Sequence, residues 1–124
     1  SLLLLTGCME EKEVTSLQDR GGVKYEINSE VGFTGRLVKK YENGQKKEET
    51  NYKDGKKDGV FTFWFENGQK KLEGKFKNGK DVGLWTGWHK NGQKGLEWNL
   101  KNGKEDGLQT IWDEEGNVTE TKTY

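Results

Sequence analysis

Apolar and polar residues alternate with a period of two over much of the chain. In the segment VFTFWFE, this alternation places Phe61, Phe63 and Phe65 on one side of a strand. Val60, Thr62 and Trp64 fall on the other side. Asn-Gly and Asp-Gly pairs interrupt the alternation at short intervals, and both pairs are typical of tight hairpin turns. The pattern predicts consecutive antiparallel β-hairpins, hence an all-β fold.

The hairpins are organised as a repeat of 24 residues that starts at Gly35. Each full unit contains one NGQK turn and one Asp/Asn-Gly-Lys turn, and both are predicted to be two-residue turns. A period of this length is typical of arrays whose units stack on their neighbours. The predicted domain covers 23–124, divided into a capping half repeat (23–34, with a strand over 23–28), three full units (35–58, 59–82, 83–106) and a partial unit (107–124).

A comparison of the units separates two kinds of strand position. Trp64, Trp88 and Trp112 occupy one column and are expected on one face of the sheet, about 9 to 10 Å apart, as a ladder that ties the hairpins together. Gly44, Gly68 and Gly92 are the equivalent structural positions of the NGQK turn. The opposite face varies: Phe61 is replaced by Trp85 and then by Gln109. An invariant face suggests stacking within the array, and a variable face suggests local packing or a partner.

The variable face is rich in large apolar residues. If both turns contain two residues, this face collects Phe61, Phe63, Phe65, Leu72, Phe76, Trp85, Leu96, Trp98 and Leu100 around His89. A one-residue bulge at a turn would move the second-strand residues to the other face. Two interpretations stay open. The face is either a docking patch or the core of a thin protein. The candidate binding residues are Phe61, Phe63, Phe65, Trp85, His89 and Trp98.

The N-terminal segment differs from the repeats in composition. The segment SLLLLTGC is an apolar run that ends in two small residues and the only cysteine, Cys8. It resembles the end of a bacterial lipoprotein signal, which directs attachment of lipid to the cysteine and cleavage of the chain just before it. The alternative is an incidental cysteine beside a truncated apolar strand. The first interpretation predicts a signal remnant over 1–8, a lipid on Cys8, and a polar tether over 9–22.

Composition limits the core and the partners. Only 29% of residues are hydrophobic, 34% are charged, and mean hydropathy is −1.10. These values lean toward disorder, but recurring aromatic residues and balanced charges, with 21 basic and 21 acidic residues, indicate a folded protein with a thin core. A net charge of zero argues against nucleic-acid binding.

The sequence contains few of the residue types that carry catalysis. There is one histidine and one cysteine, and the three serines all precede the repeats. Asp54 and Asp58 could suggest calcium, but they lack the ligand spacing of known loops and are interpreted as turn residues. A carboxylate pair for glycoside hydrolysis stays an open alternative. We expect no enzyme activity, no metal and no cofactor.

The segments YENGQKK and YKDGKKDG, spaced by the 24-residue repeat, resemble the bacterial variant of the MORN repeat over residues 23–124. That family is often described as YwqK-type antitoxin. The resemblance implies consecutive hairpins in one elongated, twisted sheet. The last unit departs from the pattern with EEGNV, and the first has Lys40 in the tryptophan column. Both departures fit terminal units that meet solvent.

Binding is therefore the expected function. The first hypothesis is an exported lipoprotein, anchored through Cys8 in the bacterial cell envelope and facing outside the cytoplasm, whose repeat sheet binds a protein or an envelope component. The alternative, suggested by the family description, is an antitoxin or immunity protein that neutralises a toxin. A third hypothesis, binding to membrane phospholipids, is weakened by the neutral charge, because attraction to anionic lipid needs clustered basic residues.

Overall fold

A computed structural model describes residues 12–27 and 29–124. The described residues contain strands and turns but no helix, and so none that could span a membrane. The predicted all-β class is confirmed. The strands are β1 (Glu13–Val14), β2 (Gln18–Arg20), β3 (Val23–Tyr25), β4 (Gly35–Lys40), β5 (Lys46–Lys53), β6 (Lys56–Trp64), β7 (Lys70–Lys77), β8 (Lys80–Trp88), β9 (Lys94–Lys101), β10 (Lys104–Glu105), β11 (Leu108–Trp112) and β12 (Val118–Thr123).

Ten of these strands form one sheet. Its order is β1-β4-β5-β6-β7-β8-β9-β11-β12, with β10 paired to β9, and β2 and β3 form a separate hairpin. Strands β4 to β9 are consecutive antiparallel neighbours, as the repeat predicts. Strand β1 is the exception, since it pairs in parallel with β4. The predicted array of hairpins in a single large sheet is confirmed.

The NGQK turn differs from the predicted two-residue turn. The Phe65 N–H donates to the Gln69 carbonyl at 2.8 Å, and the Gly68 N–H donates to the Phe65 carbonyl at 3.0 Å. The loop therefore contains three residues, and Gly68 takes the left-handed position with φ of 90°. A bulge beside Trp64 then restores the register, so that Phe63 pairs with Leu72. A two-residue turn gives the same pairing, so the strand faces come out as predicted.

The Asp/Asn-Gly-Lys turn has the predicted length. Lys53 pairs directly with Lys56, which leaves two residues in the turn. Asp54, Asn78 and Asn102 all have φ of 51°, a left-handed conformation that Asp and Asn tolerate better than most residues. The chemistry of these residues explains their recurrence at this position, and a calcium loop is not needed to account for Asp54.

Hydrogen bonds link successive NGQK turns to one another at the ends of the strands. The side-chain Nδ2 of Asn43 donates to the Glu66 carbonyl at 3.2 Å, and Asn91 makes the equivalent bond to Glu114 at 2.9 Å. The Oδ1 atom of the same Asn91 accepts from the Gln93 N–H at 2.9 Å, inside its own turn. Each asparagine therefore closes one turn and also binds the next, which explains the recurrence of this residue.

Residues 12–22, predicted to be part of a polar tether, form structure instead. They contribute β1 and β2, and two apolar residues in this segment, Val14 and Leu17, pack against the buried cluster of Phe33, Leu37 and Tyr52. The sequence did not predict these contacts, because the partners are distant in sequence and the surrounding residues are polar. Cys8 and the rest of the predicted signal remnant lie outside the described residues.

The strand of the capping segment is also shorter than predicted. Strand β3 ends at Tyr25, whereas the sequence predicted a strand over 23–28. The Lys24 N–H donates to the Gly55 carbonyl at 2.8 Å, so β3 closes over the first Asp-Gly turn. A Cβ atom added at Gly55 would collide with Val23. Close approach of the two backbones at this point therefore requires glycine.

Candidate binding face

One side of the large sheet carries most of the aromatic residues, and we call it the aromatic face. The pairings Phe63 with Leu72 and Trp85 with Trp98 place both strands of a hairpin on the same side. The prediction that the apolar strand residues share a face is correct. Phe65 follows β6 and lies at the rim of this face, where Lys71 Nζ is close to the rings of both Phe63 and Phe65. The aromatic face consists of Leu37, Tyr52, Phe61, Phe63, Leu72, Phe76, Trp85, Leu96, Trp98 and Leu100.

Trp85 is the centre of the aromatic face. It is only 4% exposed, and its ring lies 5.9 Å from Phe61, 5.2 Å from Phe76 and 5.8 Å from Trp98, measured between ring centroids. The indole lies over Gly74, where an added Cβ atom would overlap it. The stack therefore depends on large rings on three sides and on the absence of a side chain beneath.

The described part of the N-terminal segment covers one end of this face. Its apolar residues Val14 and Leu17 pack over the first unit, where Leu37 is 7% exposed. In the second and third units, Phe61, Phe63 and Trp98 are half-buried, and their ring contacts among the described residues are with other residues of the same sheet. The aromatic face thus serves as core at one end and stays partly open to solvent at the other.

Lysine ammonium groups flank the open part. Lys57 Nζ lies 4.9 Å from the centroid of the Phe76 ring, and Lys71 Nζ lies 5.6 Å from Phe63 and 5.5 Å from Phe65. Contacts of this kind are weakly stabilising at solvated positions. They place two positive charges beside the apolar surface, while Glu48, which pairs with Phe63, places a negative charge on the same side. The two ammonium groups could pair with acidic side chains of a bound segment.

A cleft of about 540 Å³ adjoins the aromatic face near the Asp/Asn-Gly-Lys turns. Tyr52 and Phe76 form its apolar wall, and Lys24 and Lys80 contribute positive charge. Burial raises the pKa of Tyr52, and the nearby Glu48 carboxylate adds to the shift. The phenol therefore stays neutral at physiological pH. It offers the cleft an apolar ring and one hydroxyl group that can form hydrogen bonds.

His89 is not at the centre of the aromatic face, where the sequence placed it. It follows β8, and its Nε2 atom lies 2.9 Å from the Trp112 carbonyl oxygen. A carbonyl only accepts, so Nε2 carries a proton in this contact and donates it. Tyr41 makes the equivalent bond to the Trp64 carbonyl at 2.7 Å. The geometry gives His89 a structural role that links neighbouring units.

The opposite side of the sheet carries the invariant columns. Trp64 and Trp88 lie on this side, as predicted, but they do not stack on each other directly. Lys70 pairs with Trp64 and places its ammonium group 5.9 Å from the Trp88 ring centroid, so a lysine lies between them. Val60 and Leu84 are 44% and 55% exposed. Thr62 and Thr86 on the same side are buried, so this face is exposed at its Val/Leu column and buried at its Thr column.

Sequence reasoning missed three residues that shape the aromatic face. Gly74 supplies the space for Trp85, and a comparison of the units would have revealed it, because Thr50 and Trp98 occupy its column. Lys57 and Lys71 were not predicted, since lysines on alternating strands are normally solvated. Their position over aromatic rings depends on the register between strands.

Among residues 12–27 and 29–124, no group of three or more His, Cys, Asp or Glu side chains is placed to hold a metal ion. The aromatic face offers apolar surface, ring faces and ammonium groups. This chemistry is suited to binding a partner.

Comparison with known families agrees with the repeat geometry. The MORN repeat variant family matches residues 33–54, 57–78 and 105–124, which together make up just over half of the chain. The unmatched unit between them contains Trp85 and Trp98, yet it pairs its strands as the other units do. No curated protein and no solved structure matches the chain. The repeats and their family match show that the chain belongs to the MORN repeat variant family.

Proposed function

We propose that this protein is a non-catalytic scaffold that binds a protein partner through the open part of its aromatic face. The observation that supports this function is the half-buried state of Phe61, Phe63 and Trp98 beyond the region covered by Val14 and Leu17. Apolar patches that are large for a solvated surface usually mark contact sites. The flanking ammonium groups of Lys57 and Lys71 favour a partner with acidic side chains beside its apolar ones.

Site-specific photo-crosslinking tests this proposal. We expect p-benzoylphenylalanine at Phe63 or Phe65 to capture one discrete protein in cells, while the same residue at Val60, on the opposite face, captures none. Lys71→Glu should reduce the capture at Phe65, because it reverses the charge beside the ring. Melting temperatures of all variants should stay close to that of the parent protein.

The outcome also separates the two functional hypotheses. Capture of a toxin would assign the chain as an antitoxin or immunity protein, and capture of an envelope protein would support the surface scaffold. Equal capture from Val60 and Phe63, or no capture from either, would contradict binding through the aromatic face.

We further propose that the native precursor is exported and anchored by lipid on Cys8. The proposal is supported by the sequence SLLLLTGC, in which the only cysteine follows an apolar run and two small residues. Lipid would hold the sheet near the outer side of the membrane, where an envelope partner could reach the aromatic face.

Replacement of Cys8 tests the anchor. In the native precursor, we expect Cys8→Ala to abolish lipid attachment, so that the intact mass changes and the protein leaves the membrane fraction. Cys8→Ser is a second, near-isosteric variant and should also lose the lipid, since a hydroxyl does not replace the modified thiol. A Cys8→Ala protein that stays membrane-associated, with a mass changed only by the substitution, would contradict lipidation.

A further inference from the structure

Strand β12 has a strand neighbour on only one side among the described residues. Its residues, Val118–Thr123, are all exposed, and β11 is its partner. Gly107 and Tyr124 exchange both backbone hydrogen bonds, at 3.2 and 2.8 Å. Because hydrogen-bonded and non-hydrogen-bonded pairs alternate along an antiparallel ladder, the N–H and C=O groups of Thr121 and Thr123 point away from β11. This edge can therefore pair with another strand.

The sequence VTETKTY at this edge is complementary to itself when read in the antiparallel direction. If Thr121 pairs with Thr121 of a second copy, then Glu120 faces Lys122 of that copy, and Lys122 faces its Glu120. Val118 faces Tyr124 at each end, and these side chains are 56% and 47% exposed. Neither charged residue forms an ion pair with another described residue, and Lys122 Nζ lies 5.1 Å from the centroid of the Tyr124 ring.

We propose that two copies of this protein associate through β12, in antiparallel pairing about a twofold axis at Thr121. The charges select this register. Centring the pair on Glu120 would place two carboxylates opposite each other, and centring it on Lys122 would place two ammonium groups opposite each other, and like charges directly opposite destabilise a pair of strands. Centring on Thr121 instead places Glu120 opposite Lys122 at two points. It also lets the outward N–H and C=O groups of the two Thr121 residues bond to each other.

The proposed pairing has a consequence for the aromatic face. Glu120 pairs with Ile111 and Lys122 with Gln109, so both charged side chains lie on the same side of the sheet as the aromatic face. A twofold axis perpendicular to the sheet keeps the two aromatic faces on one side. The dimer would present them together, although its formation does not depend on what they bind.

Charge reversal tests the interface by sedimentation velocity over a concentration series, with a reducing agent present to keep Cys8 from crosslinking. We expect the parent chain to dimerise reversibly. Lys122→Glu and Glu120→Lys should each raise the dissociation constant at least about tenfold, since each turns two attractive cross-strand pairs into repulsive ones. The swapped variant Glu120→Lys/Lys122→Glu should dimerise like the parent chain.

Mixing the two single variants gives a second test, because their edges become complementary to each other. An equimolar mixture should form heterodimers with about the affinity of the parent dimer, whereas each variant alone should dimerise at least about tenfold more weakly. Lys75→Glu is the matched control, with the same charge change on an exposed residue of β7, and should leave dimerisation unchanged. A monomeric parent chain at all concentrations, or a dimer that persists in Lys122→Glu, would overturn the proposal.

Disulfide formation reports the register. In a Cys8→Ala background, Thr121→Cys should crosslink to itself, because paired Cα atoms at this position lie about 5.5 Å apart. Thr123→Cys should not, since the same register separates its two copies by four residues, or about 13 Å. Equal crosslinking of both variants would show that the edges do not meet in this register.

Discussion

Replacing Trp85 with alanine is expected to lower the free energy of unfolding by about 3 to 5 kcal/mol. Trp85 is 4% exposed and contacts Phe61, Phe76 and Trp98, so the substitution leaves a cavity at the centre of the aromatic face. The cost is a large share of the roughly 5 to 15 kcal/mol that stabilises a typical domain. Urea unfolding followed by circular dichroism measures it without relying on tryptophan fluorescence.

Trp88→Ala is the matched control for this experiment. It removes the same side chain three positions further along β8, but Trp88 is half-buried and on the other face. Its cost should be clearly smaller. Equal losses of stability from the two substitutions would contradict the assignment of Trp85 as the central core residue.

Trp85→Phe separates the apolar contribution of the ring from that of its N–H group. The Nε1 atom of Trp85 is buried and has no hydrogen-bond partner among the described residues. A buried donor without an acceptor costs about 1 to 3 kcal/mol. Phenylalanine removes that donor and keeps most of the ring, so the loss of stability should be well below that of Trp85→Ala.

The second large effect is expected from the smallest change, Gly74→Ala. A methyl group at this position would overlap the six-membered ring of the Trp85 indole. Overpacking of this kind typically costs about 1 to 3 kcal/mol, because neighbouring side chains or backbone must shift. The same unfolding experiment should show a lower midpoint with little change in slope.

Gly87→Ala provides the control within the same face. Gly87 also lies inside a strand, but an added Cβ atom would meet the Lys71 carbonyl oxygen at 3.6 Å and Leu96 Cβ at 3.7 Å, which are ordinary contacts. Alanine at this position should be neutral or slightly stabilising, since it also restricts the unfolded chain. A loss of stability as large as that of Gly74→Ala would refute the steric explanation.

A double-mutant cycle links the two predictions. In a Trp85→Ala background, Gly74→Ala should lose its penalty, because the indole that it overlaps is gone. The two sites are in contact, so their effects should be strongly non-additive. Additive losses would mean that Gly74 is required for its backbone conformation and not for the space it provides.

Local sequence determined the strands of the repeat units and the grouping of their side chains on two faces. The period-two alternation and the Asn-Gly and Asp-Gly pairs act over a few residues, so a local reading recovers them. The prediction of the faces survived an incorrect turn length at NGQK. The third loop residue shifts the register by one residue and the bulge beside Trp64 shifts it back, so Phe63 still pairs with Leu72.

Only the tertiary structure decided which face is buried and where its centre lies. Both faces of β8 carry a tryptophan, and alternation does not distinguish Trp85 from Trp88. Burial depends on what the neighbouring strands place beside each ring: Gly74 and Phe61 beside Trp85, and Lys70 beside Trp88. The packing of residues 12–22 on the first unit was equally hidden. Each outcome depends on contacts between strands, which are set by register and distance across the sheet, and a local pattern does not contain them.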